Sequence, residues 1–323
     1  MRAFPGAPHP VIDLSTGIGP EPYPLRLPGI EALSRLPEHA EEHALRVAAA
    51  AAYGVAGGDA CVAAGPGTQM LMALLPHLLG HRQVTILGPT YGGHGDAWRA
   101  AGAAVADVTT PEALAASIRD TGCVAVVCSP NNPDGRWLPP TWLEAQARAC
   151  AARGTWLIVD EAYADLTDDT MARRVPVPGL IVLRSFGKTY GLPGVRLGFM
   201  LADAALTGRA RGMMGAWSVG TLAIAAGCQA LADRAWLEQM RAQTRARCAR
   251  LCALLAAAGL PPHGEGGLFV MLRRPDAGDL WRFLCARGIV TRAFSDRPTD
   301  LRIGLPRTEA EWQRLAQALA DWP

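Results

Sequence analysis

Short apolar runs punctuate the first two thirds of the chain, at 61–64, 83–87, 103–108, 124–128, 156–159, 180–183 and 197–201, and most end in a glycine- or proline-bearing polar corner. Runs of this length bounded by turn residues read as buried strands, and the stretches 69–79 and 140–153 between them carry amphipathic helical patterns. Strand, helix and strand in repetition predict an α/β fold with right-handed crossovers and a mostly parallel central sheet flanked by helices. An alanine-rich segment, 38–53, precedes the first run as a helix that Gly54 ends.

Past Leu201 the rhythm changes. Residues 204–215 read as a helix, Trp217-Ser218-Val219-Gly220 as a turn, and 222–258 as one long, alanine-rich, largely helical connection. Strand-like runs at 267–273, 289–292 and 301–305 then alternate with helical stretches at 276–287 and 308–322, which predicts a smaller α+β unit. Residues 1–39 are rich in proline and glycine, with one apolar island at 11–14. They have too little periodicity to fold alone and read as an extended arm packed on the smaller unit, or else as a frayed tail. The expected division is an arm at 1–39, a large domain at 40–210 and a small one at 211–323.

Composition narrows the possibilities. With 323 residues, half of them hydrophobic and 19% charged, the chain can bury a substantial core. A formal net charge of +2 offers no long-range field for nucleic acid or a membrane surface. No apolar run reaches membrane-spanning length, and Met1-Arg2 leads into prolines rather than a signal peptide. The eight cysteines lack paired CxxC spacing; Cys248 and Cys252 sit four apart on a helical stretch without a histidine pair, so small buried thiols in a reducing cytoplasm, and no metal, are expected.

Charge usage then singles out one residue. Lys188 is the only lysine in a chain that otherwise uses arginine for its cationic side chains. A lysine can lose its proton and attack an aldehyde, whereas a guanidinium stays charged. Lys188 lies in a glycine-studded corner between two strand-like runs, with Ser185 three residues before it and Arg196 eight after, which suits a covalent cofactor anchor with phosphate ligands beside it; a solvated loop lysine is the plainer alternative.

Other strand ends carry polar groups too. Gly65-Pro66-Gly67-Thr68 opens a helix, where free N–H groups and the helix dipole form a phosphate cradle, although the same turn also makes an ordinary tight corner. Tyr91, just past a strand end, is placed to stack on a planar group or simply to pack under a loop. Asn132 offers an amide donor between two prolines. Asp160, ending a run of Trp-Leu-Ile-Val, is a desolvated carboxylate that needs a cation, either a protonated ring nitrogen or an arginine. Opposite charges about 4 Å apart at an effective dielectric near 20 attract by roughly 4 kcal/mol, enough to keep such a nitrogen protonated. Arg302 stands between apolar neighbours as an anion clamp or as cover for a sheet edge.

In order and type, Gly67-Thr68, Tyr91, Asn132, Asp160-x-x-Tyr163, Ser185-x-x-Lys188, Arg196 and Arg302 resemble the fold-type I pyridoxal-phosphate enzymes, the aspartate aminotransferase superfamily. The resemblance spans nearly the whole chain. It implies that Lys188 forms the covalent link to pyridoxal 5'-phosphate and moves protons, that Asp160 binds the ring nitrogen, and that Tyr163 and Asn132 bond to the ring oxygen. It further implies Tyr91 stacking on the ring, Gly67, Thr68, Ser185 and Arg196 on the phosphate, and Arg302 on the substrate's α-carboxylate. Within the superfamily, Ile12-Asp13-Leu14-Ser15-Thr16-Gly17-Ile18-Gly19-Pro20, Arg184-Ser185-Phe186-Gly187-Lys188 and Trp217-Ser218-Val219 look most similar to the threonine-phosphate decarboxylases of cobalamin biosynthesis, in the histidinol-phosphate aminotransferase branch.

That resemblance implies decarboxylation of L-threonine O-3-phosphate to (R)-1-amino-2-propanol O-2-phosphate by a homodimer. For that reaction the substrate phosphate or a tilted carboxylate is expected to meet Arg302, with Ser15, Thr16 and Gly17 helping to close the site. An aminotransferase acting on histidinol phosphate or a similar amino acid is the alternative. The chain departs from the pattern at Gly19, where an asparagine is common, and at Leu36-Pro37, where related aminotransferases have Tyr-Pro.

Overall fold

The structure, a computed structural model, describes residues 4–323; the first three residues of the expected arm lie outside the described residues. Its centre is a seven-stranded sheet in the spatial order Val62–Gly65, Gly198–Leu201, Leu180–Ser185, Leu157–Asp160, Val124–Cys128, Gln83–Leu87, Ala104–Val108. Gly198–Leu201 runs antiparallel to both neighbours, while every other pairing in this sheet is parallel. Both faces of the interior strands are covered, which is why those strands read as continuous apolar runs rather than alternating ones. In Val124–Cys128, Ala125 and Val127 enter one core cluster and Val124 and Val126 the other.

The parallel pairing aligns the strands' C-terminal ends. Cys128 sits opposite Asp160, and Asp160 opposite Leu183, so polar residues at and just after these ends share one rim, where ligands of open α/β sheets collect.

A second, four-stranded antiparallel sheet has the order Arg292–Phe294, Arg297–Gly304, Phe269–Arg273, Gly264–Glu265. The arm is anchored beside it: Ile12–Asp13 pairs in parallel with Ile289–Val290, and Leu14 is buried with its carbonyl accepting from the Gly304 N–H at 2.7 Å. From there the arm crosses to the lysine corner, where Gly19 N donates to the Lys188 carbonyl at 2.7 Å and Tyr23 N to the Tyr190 carbonyl at 2.9 Å. The arm therefore ties the smaller sheet to the loop that carries the chain's only lysine.

Two expectations need correction. The stretch 222–258 is two helices, Thr221–Ala232 and Arg234–Ala257, broken at Asp233, whose carboxylate caps the second by accepting from Trp236 N at 3.0 Å. The strand-like run 289–292 is also divided: Ile289–Val290 joins the arm, and Arg292–Phe294 begins the antiparallel sheet.

Candidate active site

At the C-terminal rim of the central sheet lies a chamber of about 200 Å³. Gly67, Thr68, Tyr91, Asn132, Asp160, Tyr163, Ser185, Lys188 and Arg196 all line it, so the side chains and corners singled out in the sequence converge on one cavity.

Asp160 ends its strand fully surrounded. One carboxylate oxygen accepts from the Ala162 N–H at 3.0 Å and the other lies 2.9 Å from His94 Nε2. Within the chain, the group beside this buried carboxylate is His94, on the helix Gly93–Ala100, and not an arginine. Burial of the ring works against its charge, but the adjoining Cys128 sulfur and the Asp160 carboxylate outweigh it and raise His94 to about 10. His94 is therefore an imidazolium at neutral pH, and Asp160 presents its charge to the chamber from a rigid mount.

Lys188 sits in the short helix Phe186–Thr189, with Nζ 5.8 Å from the Tyr163 ring centroid. Burial, followed by the guanidinium of Arg302, pushes its amine below the ordinary lysine range, Asp160 opposes this, and Arg196 adds to the lowering. A larger share of the neutral, nucleophilic form follows. Tyr163 packs edge-on against Phe269, its hydroxyl pushed up to about 12, chiefly by burial, and the arm presses on it at Gly17, where a Cβ would stand 2.6 Å from the Tyr163 oxygen.

An anion cradle occupies another part of the wall. Gly67 has φ 85°, and a Cβ there would lie 2.6 Å from Arg196 Nη2, so the guanidinium closes over a backbone that only glycine leaves open. Behind it, a Cβ on Gly198 would fall 2.5 Å from Thr68 N, so the corner rests directly on the strand. The pairings Gly65 with Gly198 and Gly198 with Ser185 bring the serine alongside. The first N–H groups of Thr68–Leu79, the serine hydroxyl and the guanidinium form a donor set matched to a phosphate. Tyr91, held by its hydroxyl donating to Gln69 Oε1 at 2.9 Å, stands edge-on to His94 and forms a further wall.

A second chamber, about 710 Å³, shares Gln69, Tyr91, Asn132, Tyr163 and Lys188 with the first. Ser15, Thr16 and Gly17 of the arm and Arg302 line it, as do Arg292 and Arg297. Arg302 is buried, donating from Nη1 to Asn132 Oδ1 at 2.5 Å and from Nη2 to the Ser15 carbonyl at 2.7 Å, and its Nε has no partner among the described residues. Asn132 thereby commits its carbonyl oxygen and keeps its amide N–H groups free to donate into the chamber. Ser15 contributes its backbone, because its hydroxyl donates to Asp13 Oδ1 at 2.6 Å.

The register places Arg292 directly opposite Arg302 on the neighbouring strand. Like charges so placed repel unless an anion sits between or above them. Sequence reasoning missed Arg292, Arg297 and His94. The arginines need the strand register to be seen, and His94 would have been suggested only by its position three residues after Tyr91, in the turn that enters a helix.

The description "Aminotransferase class I and II" fits residues 36–319 of this chain as a family model. The threonine-phosphate decarboxylase of Pseudomonas aeruginosa is 40% identical over 309 residues, covering 95% of this chain and 91% of that protein. A threonine-phosphate decarboxylase from a Sinorhizobium species is 40% identical over 327 residues, covering 98% and 94% respectively. Among solved structures, the histidinol-phosphate aminotransferase of Sinorhizobium meliloti in complex with pyridoxal-5'-phosphate superposes with a TM-score of 0.83 at 23% identity, over 96% of this chain and 89% of that one.

Proposed function

The chain belongs to the class I and II aminotransferase family, and from that premise we propose that it is a pyridoxal-phosphate-dependent decarboxylase of L-threonine O-3-phosphate, releasing carbon dioxide and (R)-1-amino-2-propanol O-2-phosphate for cobalamin biosynthesis. One observation carries the substrate: the facing pair Arg292 and Arg302 beside Lys188, a site for a doubly charged phosphate. It agrees with the names of the two relatives at 40% identity.

The residues fit the cofactor. The cradle that a Cβ on Gly67 would fill, the buried Asp160 carboxylate and the depressed Lys188 amine offer a phosphate site, a partner for a protonated ring nitrogen and a nucleophile for an aldehyde within one chamber. When bound, pyridoxal 5'-phosphate supplies an electron-poor ring that takes up the electrons of a bond broken at the substrate's α-carbon. Gly67, Thr68, Ser185 and Arg196 would hold its phosphate, Asp160 its ring nitrogen, Tyr163 and Asn132 its ring oxygen, and Tyr91 one face of the ring.

Lys188 Nζ would bear the cofactor and then hold the proton that the α-carbon receives once carbon dioxide has left. Arg302 and Arg292 bind the substrate phosphate and leave the carboxylate without a tight clamp. A clamp on the departing group would stabilise the ground state more than the transition state, where that charge is being lost. The arm at Ser15–Gly17 excludes water from above. In this reading residues 40–210 carry the cofactor, 211–323 carry the substrate arginines, and 1–39 link them across the site.

Incubation with O-phospho-L-threonine in the absence of any keto acid is expected to release many equivalents of carbon dioxide per subunit. Turnover only when a keto acid is added, without gas, would instead establish an aminotransferase. Arg302→Ala is expected to raise KM for the phosphorylated substrate roughly ten- to hundred-fold, the worth of a charge-assisted hydrogen bond. Unchanged kinetics would remove Arg302 from the site.

The assembly we infer is a homodimer. Leu27, Ile30 and Leu36 of the arm segment are 74%, 73% and 61% exposed, an apolar stretch that a second copy would cover. Light scattering behind a sizing column should read twice 34.1 kDa, and a monomer mass at micromolar concentration would refute the assembly. Among the described residues no helix is long and apolar enough to cross a membrane. The eight free thiols suit a reducing cytoplasm.

A further inference from the structure

Far along the chain from the lysine corner, the helix Arg234–Ala257 presents Cys248 and Cys252 one turn apart, toward the edge strand Gly264–Glu265. Cys248 Sγ lies 3.2 Å and Cys252 Sγ 3.5 Å from the same oxygen, Glu265 Oε2, and the three donor atoms are all within 4.8 Å of one another. A tetrahedral zinc ion with sulfur ligands at ~2.3 Å and a carboxylate oxygen at ~2.1 Å sets sulfur–sulfur separations near ~3.8 Å and sulfur–oxygen separations near ~3.5 Å. The thiol-to-carboxylate distances therefore already approach those of a coordination sphere. Cys248 is buried, Cys252 half-buried and Glu265 exposed, which leaves one side of the cluster open to a solvent ligand.

We propose that Cys248, Cys252 and Glu265 form a three-ligand site for a thiophilic divalent cation of the zinc class, completed by one water molecule. Two thiolates select a borderline-soft metal over magnesium or calcium, and the carboxylate completes a donor set that a d¹⁰ dication accepts without geometric preference. Binding exchanges two S–H protons, released to solvent, for two metal–sulfur bonds, with no change in oxidation state. Because both thiols must lose their protons to bind the metal, affinity should rise with pH. The ion would pin the edge strand to the helix. That strand lies against the 131–135 loop without room for a Cβ on Gly135 or Gly264, so the pin sits one layer behind Asn132.

The test is cobalt(II) titration of the cofactor-loaded, reduced protein, read by thiolate-to-cobalt charge-transfer absorbance and then by displacement with zinc. One equivalent with that band is expected, together with a zinc-dependent rise in Tm. Cys252→Ser, a change on the half-buried side of the helix, should weaken zinc binding at least about ten-fold, remove the rise in Tm and leave at most the weaker band of the single Cys248 thiolate. Glu265→Gln should retain the band with about ten-fold weaker binding. Cobalt bound without the band, or a band of undiminished intensity and affinity in Cys252→Ser, would overturn the site.

Discussion

Lys188→Ala is expected to lower carbon dioxide release from O-phospho-L-threonine by at least about a thousand-fold, the upper part of the range for a lost general acid–base group, because in the proposed function the same amine would also bear the cofactor. The chain contains no other lysine, so no neighbouring ε-amine can take over. Lys188→Arg should fail equally, since a guanidinium retains its proton and cannot bond to an aldehyde. Purified Lys188→Ala should lose cofactor on gel filtration, while the wild type retains its visible absorbance. Residual activity within about ten-fold of wild type would remove Lys188 from the chemistry.

The pH dependence gives a second readout of the same residue. Burial lowers the Lys188 amine, and the Arg302 and Arg196 charges lower it further. The neutral amine is thus available below a free lysine's 10.5, and the rate of cofactor capture should rise with pH through a midpoint under that value. Removing a positive neighbour favours the protonated form, so Arg302→Ala should move that midpoint upward, independently of its effect on substrate KM.

Much of this arrangement is legible in the sequence for a physical reason. Parallel strands buried on both faces must be apolar throughout, and the residues that follow their ends must share one rim; 83–87 and 124–128 match the observed strands Gln83–Leu87 and Val124–Cys128 residue for residue. What stays hidden depends on partners distant in sequence. The opposition of Arg292 and Arg302 follows from strand register, and His94 meets Asp160 across 66 positions. The break at Asp233 is concealed because alanine-rich segments on either side have the same helical propensity, and a single capping carboxylate decides where one ends. Ser15 illustrates the same limit: it lines the chamber shared with Lys188 and Arg302, but the preference of its hydroxyl for Asp13 is not legible from sequence.

Asp160→Asn is expected to reduce decarboxylation by roughly a hundred- to ten-thousand-fold while leaving the phosphate cradle, and hence much of the cofactor affinity, in place. The asparagine preserves shape but cannot hold a proton on a ring nitrogen. It also leaves His94 without its carboxylate. In the wild type His94 has a folded value of about 10 against an ordinary 6.5, so its charged form contributes stability that is fully present below 6.5 and lost as pH rises through about 10. In the variant the Cys128 sulfur remains but the carboxylate's support is gone, so burial weighs more heavily and the ring gives up its proton more readily, which avoids part of the roughly 3–5 kcal/mol otherwise lost when a buried pair is broken. The stability difference between wild type and Asp160→Asn should therefore be largest in acid and shrink toward pH 10, as urea unfolding at several pH values would record. A difference independent of pH would mean that His94 is not the counter-ion of Asp160, and normal decarboxylation would mean that the buried carboxylate serves the fold rather than the chemistry.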